Sequence, residues 1–340
     1  VNLFKAELRR IIRRRLTLAF GIVAVAGVVV LTVAMWLASS PGATEEELAE
    51  AQIEADQLNE GNPDFHECLA DEEFFEDNEE YSWVGSDPYY QDMSHEEVCA
   101  MATGGWLAED LINTYSFDFA EEGRVMLFGV AIVAGLLMMM LASSAIGAEW
   151  SSGGMSNLLL WHPNRMKVWG VKLGAALSLC AAAVVALLVL AFGLLYLTSA
   201  VRGEPGELDG AWWGDTFAQV SRTVVLTLGM TALGASMAML GRHTAVAGGV
   251  IAGYLIVGEM LVQLISVWLP MAFPERLSLY TWIGAWISGK TELYDWDESG
   301  ASMDPEVMVI TASEAGLLLG GIVLIFAVLA TWAFKRRDVA

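Results

Sequence analysis

Six stretches of this 340-residue chain stay apolar for about 20 residues or more, the length needed to cross roughly 30 Å of hydrocarbon. They fall at 16–38, 124–147, 170–198, 218–240, 245–269 and 313–334. A backbone inside a bilayer must satisfy its own polar groups, so runs of this kind become helices. The expected fold is therefore an all-α membrane protein with six transmembrane helices. Composition agrees: 55% of residues are hydrophobic and only 17% are charged. The first run follows basic residues and precedes "LASSPGA", which resembles a secretory signal. Its apolar core exceeds the roughly 7–15 residues of a signal peptide, so an uncleaved anchor is expected.

Orientation follows from Lys and Arg. Lys5, Arg9, Arg10, Arg13, Arg14 and Arg15 precede the first run, and Arg165, Lys167 and Lys172 lie between the second and third. Arg242 separates the fourth and fifth, and Lys335, Arg336 and Arg337 follow the sixth. Thirteen of the 18 basic residues thus fall on one side, which the positive-inside rule makes cytoplasmic, with both termini inside. The net charge of −23 is local: residues 41–123 carry 25 of the 41 carboxylates and no Lys or Arg. An acidic extracytoplasmic insert, 39–123, is expected between the first two spans, with a short outer loop at 199–217.

Residues 3–15, "LFKAELRRIIRRR", place Phe4, Leu8, Ile11 and Ile12 on one side of a helix and basic residues off it. Such a segment, 1–15, lies in the inner interface or serves as a topology signal. Within the insert, "ATEEELAEAQIEADQLNEG" predicts a helix of about 15 residues. "WLAEDLINTYSFDFAEEG" is expected to lead helically into the second span. A domain this small and charged needs a staple, and Cys68 and Cys99 are the cysteines available for a disulfide. His66 and His95 beside them leave a second reading, a zinc set of His66, Cys68, His95 and Cys99. Segment 270–312 is apolar and aromatic but broken by Pro and Gly, which predicts a re-entrant or interfacial hairpin before the last span. Trp36, Trp212, Trp213, Trp268, Trp282 and Trp286 are expected at outer headgroup depth.

Glu259 is the costliest residue within the spans, and Gln263 shares its helical face. Arg222, near the outer end of the fourth span, approaches the same depth. The alternatives are an Arg222–Glu259 ion pair, a substrate or proton role for Glu259, or a role at an interface. Residues 284–291, "GAWISGKT", satisfy the phosphate-loop pattern literally. Trp286 and Ile287 would crowd a phosphate cradle, and no soluble segment could house a nucleotide domain, so that reading is rejected. Recurrent small residues, as in "GMTALGASMAMLG", suit close helix packing in a homo- or heterodimer.

The segment 148–169, within "GAEWSSGGMSNLLLWHPNRMKVWGVK", is unlike the runs on either side. It reads Glu149, Ser151-Ser152-Gly153-Gly154, a short apolar helix with Leu158-Leu159-Leu160, Pro163, Arg165, then Lys172. This pattern resembles the loop between spans two and three in permeases of the type-2 ABC transporter family, in the form common among actinobacterial members. The resemblance covers most of the chain; the long acidic insert is the departure.

The resemblance implies a permease that catalyses no bond chemistry and binds no cofactor, with ATP and Mg held by two separate cytoplasmic ATPase subunits. It implies a second permease copy or a homologous one, a bacterial plasma membrane, and export as the direction. Met155, Leu158, Leu159, Trp161 and His162 would present contact area to the ATPase, with Pro163 ending the helix. Ser151 or Ser152 would cap it, and Glu149 would latch the loop to Arg165 or to the basic N-terminal segment. No nucleic-acid partner is expected, whereas the acidic insert leaves room for an extracytoplasmic partner. Two other classes stay open: an ion-coupled transporter or channel using Glu259, and a membrane sensor with the acidic insert as its ligand-binding head.

Overall fold

The structure, a computed structural model, describes residues 3–336 apart from 72–73, 79–80, 82, 85–87, 91–92, 113–114, 269–270 and 296–304. Arg337 and the start of the expected hairpin at 270 lie outside the described residues. In chain order the helices are α1 (Leu3–Ile12), α2 (Arg15–Ala38), α3 (Glu45–Asn59), α4 (Pro63–Ala70), α5 (Phe74–Asp77), α6 (His95–Thr103) and α7 (Ala108–Leu111). They continue with α8 (Phe119–Ser151), α9 (Gly154–Trp161), α10 (Arg165–Arg202), α11 (Gly210–Gly241), α12 (Ala245–Gly253), α13 (Glu259–Trp268) and α14 (Leu279–Ser288). Strands β1 (Lys290–Asp295) and β2 (Glu306–Thr311) precede α15 (Ala312–Arg336). The chain divides into two compact units: Val1–Val33, Phe119–Leu197 and Pro205–Ala340 form one, and Ala34–Asp118 with Thr198–Glu204 the other.

Among the described residues, α2, α8, α10, α11 and α15 are each long and apolar enough to span a membrane. The fifth expected run is helical but interrupted: α12 passes into a π-helical turn, Tyr254–Gly258, before α13. Nine, five and ten residues in direct succession still cover a bilayer at about 1.5 Å per residue. Single π turns inside helices are often found where function needs an irregular backbone. The fold is thus that of an all-α membrane protein, with one exception. The segment before α15 contains a 3₁₀ turn (Pro274–Leu277), α14 and an antiparallel β1–β2 pair, in register Lys290↔Thr311 to Asp295↔Glu306. Met308 and Ile310 point inward with Leu293, packing toward Phe273, Ala285, Ala315 and Trp286.

In the first unit α8 and α11 approach closely because small residues meet. A Cβ at Gly135 would lie 2.8 Å from Thr227 Cγ2, and one at Gly234 would run into the Met139 carbonyl oxygen. The small-residue stretch of α11 therefore packs inside the chain, with Gly234, Ala235 and Ala238 all buried. Gly234→Ala is expected to cost about 1–3 kcal/mol by overpacking. Gly129→Ala, whose added methyl meets nothing, is the control; equal melting temperatures for the two variants in detergent would reject this packing. Trp212 is buried here, its Nε1 donating to the Ala120 carbonyl at 2.8 Å. Trp268 is exposed, in keeping with an interfacial ring.

The second unit holds α3 to α7. Thr44 and Glu47 form a reciprocal capping box at the start of α3, and Ser94 and Glu97 form another at α6. In each, the N-cap hydroxyl and backbone N–H hold the carboxyl of Glu47 or Glu97 below the ordinary value. Buried Asn59 closes α3 by pairing both ways with Trp106: Nδ2 to its carbonyl at 2.8 Å and Oδ1 from its N–H at 2.9 Å. Cys68 and Cys99 are joined by a disulfide inside a cluster with Phe65, Phe74 and Ala100. The expected helical lead into the second span is interrupted: α7 has four residues, and helix resumes at Phe119, from which α8 carries the last five residues of the stretch into the span.

Candidate functional site

The loop between α8 and α10 is a short helix on a locked base. Gly153, with φ of 73°, makes the turn that a residue with a Cβ resists, and α9 follows at once. Neither Ser151 nor Ser152 caps α9, as had been expected; the N-cap is Gly153, without a side-chain bond, and Ser151 Oγ donates back to the Ala148 carbonyl. His162 and Pro163 end the helix, and Asn164 Oδ1 accepts from Lys167 N at 3.1 Å to start α10.

The α9 side chains divide by face. Met155 is fully buried and anchors the helix, contrary to the expectation that it offers contact area. Leu158 and Leu159 are half-buried. Leu160 and Trp161, 82% and 80% exposed, form the free tip, with His162 and Pro163 exposed beside them. Leu160 belongs to the loop pattern read from the sequence but not to the expected contact set; its place one residue before Trp161 on an eight-residue helix was the available signal.

Below the loop lies a cluster of four charges, three of them buried. Lys172 Nζ sits 2.9 Å from Glu7 Oε1 and 2.5 Å from Glu149 Oε2. Arg10 pairs with Glu7 at 2.6 Å and also with Glu149. Glu7, Glu149 and Lys172 are all buried. Two acids and two bases balance, as the low-dielectric site demands. Burial pushes the Glu7 carboxyl up, but Lys172 and Arg10 together outweigh it and hold Glu7 below the ordinary carboxylate value. The cluster ties α1 to the end of α8 and the start of α10. Arg14 adds to it by donating to the Ser144 and Ala145 carbonyls at 3.2 and 3.1 Å.

Of the two latches expected for Glu149, the one to the basic N-terminal segment is formed and the one to Arg165 is not. Arg165 reaches the Phe334 and Lys335 carbonyls at the end of α15, at 3.4 and 3.5 Å, where a cation suits the helix dipole. The α8 end is held from another side too. Gly147 lies so close to the α11–α12 turn that a Cβ would come 2.6 Å from Thr244 N, and Arg242 stacks 4.8 Å over the Trp150 ring.

The other expected sites resolve differently. Arg222 and Glu259 form no ion pair. Glu259 accepts from Tyr254 OH at 2.6 Å and from Ser278 Oγ at 3.0 Å, while Arg222 Nη1 reaches the Ile287 carbonyl at 3.5 Å. Gln263 lies on α13, four residues after Glu259. The zinc reading of His66, Cys68, His95 and Cys99 fails in this state. The sulfurs are bonded to each other at 2.04 Å, so neither is a thiolate, and His66 Nε2 is engaged with the Asn59 carbonyl. His95 Nε2 lies 2.8 Å from the Cys68 carbonyl oxygen. The stretch 284–291 runs from the second half of α14 into β1, the reverse of the strand-to-helix order a phosphate loop requires.

No curated protein and no solved structure matches the chain. A family model does, over residues 1–339, described as ABC-2 family transporter protein. The chain therefore belongs to the ABC-2 family of transporter membrane proteins.

Proposed function

We propose that this chain is the permease subunit of an ATP-driven exporter and that α9 receives mechanical work from a separate cytoplasmic ATPase. The observation that carries the reading is the contrast within the loop. An exposed Leu160–Trp161 tip stands on a base clamped by four charges, three of them buried. A rigid root with an apolar, aromatic tip is what a short helix needs to seat in a partner's cleft and pass on movement without flexing. Two ATPases, holding ATP and Mg, and two permeases complete the assembly on this reading. The loop and both termini then lie in the cytoplasm of a plasma membrane, and the acidic insert outside it.

Leu160→Ala/Trp161→Ala is expected to remove a nucleotide-hydrolysing subunit that co-purifies with the wild type from native membranes in mild detergent. Loss of two central apolar contacts should weaken the complex by about 2–4 kcal/mol, or roughly 30- to 1,000-fold. The variant itself should melt as the wild type does, because both side chains face solvent. Retention of the ATPase by the double variant would locate the contact elsewhere; absence of any ATPase with the wild type would end the permease reading.

A further inference from the structure

The absent ion pair between Arg222 and Glu259 has a structural counterpart. Both residues contact α14, at opposite ends. At its N-terminus, Ser278 is the N-cap: its Oγ accepts from Tyr280 N at 3.1 Å and donates to the Glu259 carboxylate, 3.0 Å from each oxygen. Tyr254, in the π turn, bridges the same corner. Its hydroxyl donates to Glu259 at 2.6 Å and accepts from Leu279 N at 2.8 Å. At the C-terminus, Arg222 Nη1 reaches the Ile287 carbonyl, and the Trp286 indole returns a bond to the Arg222 carbonyl at 2.8 Å. Gly289 ends the helix at φ of 96°, and a Cβ there would come 2.9 Å from Arg222 Nη1.

The anion thus stands at the positive end of the α14 dipole and the cation at the negative end, the favourable arrangement for both. α14 has ten residues, too few to hold a helical form alone, so its position depends on these ends and on its packed face. That face is tight: Ala285 and Ile287 are buried, and a Cβ at Gly316 of α15 would meet Trp286 at 2.5 Å.

We infer that Arg222 and Glu259 are positioning residues that hold α14 by its two ends against α11 and α13, and that α14 undocks and redocks during the transport cycle. The inference rests on the permease reading for its cycle, but the clamp itself does not. The π turn supplies the geometry: it displaces Tyr254 so that one hydroxyl serves both the carboxylate and the α14 N-terminus.

The test uses the full chain with its co-purified ATPase and a thiol placed by Ile287→Cys. The other cysteines do not compete, since Cys180 is buried and Cys68 and Cys99 are bonded. Labelling by a membrane-impermeant maleimide should be slow in this parent and faster under ATP turnover. Glu259→Gln and Arg222→Gln should each raise the resting rate by about tenfold, whereas Arg222→Lys should restore protection, because the helix end needs the charge and not the fork. The exchange Arg222→Glu/Glu259→Arg should label fastest, with both ends facing the wrong sign. If Glu259→Gln fails to yield folded protein, Ser278→Ala tests the same end. Rescue by the exchange would mean a direct ion pair and overturn the clamp, as would unchanged rates in both Gln variants. A parent rate indifferent to ATP would overturn the movement of α14; the permease reading is judged separately, by whether the ATPase co-purifies.

Discussion

Lys172→Met is expected to lower the melting temperature of the detergent-purified protein by on the order of 10 °C. Lys172 is the centre of the buried cluster, touching Glu7 and Glu149. Removing it leaves two buried carboxylates to share Arg10, and an uncompensated buried charge costs about 3–5 kcal/mol. The expectation is sharpened by a second change. Lys172→Met/Glu149→Gln again balances charge, leaving the Arg10–Glu7 pair, so it should melt well above the single variant. If the double variant melts lower by the sum of the two single losses, the four groups do not act as one unit.

The same cluster sets a sign for pH. Glu7 is held below its ordinary value, so its contribution is fully present above the unfolded carboxylate range, about pH 4.3. It is lost as pH falls through the lower folded value, when Glu7 protonates and Arg10 and Lys172 face one anion fewer. Wild-type stability should therefore decline on acidification in that range, and Glu7→Gln, already lacking the anion, should decline less.

Spans were legible because they are written in contiguous residues: length of apolar run predicts a membrane helix. Caps were less so: the Thr44–Glu47 box of α3 is not among the sequence expectations, and the cap expected of Ser151 or Ser152 falls instead to Gly153. The four-charge cluster was only half legible. Glu149 stood out as a carboxylate beside a span with a latch to the basic N-terminal segment among its expected partners, but Lys172 read only as an inner basic residue closing the loop pattern, not as its partner. Nothing in local spacing says that residues 7, 10, 149 and 172 meet. The Arg222–Glu259 pair misled for a related reason: depth in the membrane was inferable, but not the ten-residue helix that lies between the two charges. The β1–β2 pair left a faint signal in "EVMVIT", where Met308 and Ile310 alternate with exposed Val307 and Val309. Aromatic residues, Pro and Gly in the preceding stretch hid it behind an apolar hairpin.

Cys68→Ser/Cys99→Ser is expected to open the acidic insert to proteolysis while leaving the membrane helices intact. The bond closes a loop with a sequence separation of 31, and constraining the unfolded chain over that length contributes about 3.7 kcal/mol. Few other sources compensate: the cluster around the disulfide is small, and the unit carries an excess of carboxylates whose mutual repulsion favours the open chain. A loss of that size raises the open population roughly 500-fold. The composition supplies its own assay. Residues 41–123 contain no Lys or Arg, so trypsin has no site there, whereas a Glu-specific protease has many. Glu-specific cleavage within the insert should accelerate by roughly that factor in the serine variant or after reduction, with the tryptic pattern unchanged. A chelator should change neither rate, since the bonded sulfurs offer no thiolate to a metal. If the serine variant is cleaved no faster than the wild type, Phe65, Phe74 and the Asn59–Trp106 pairing hold the insert without the staple.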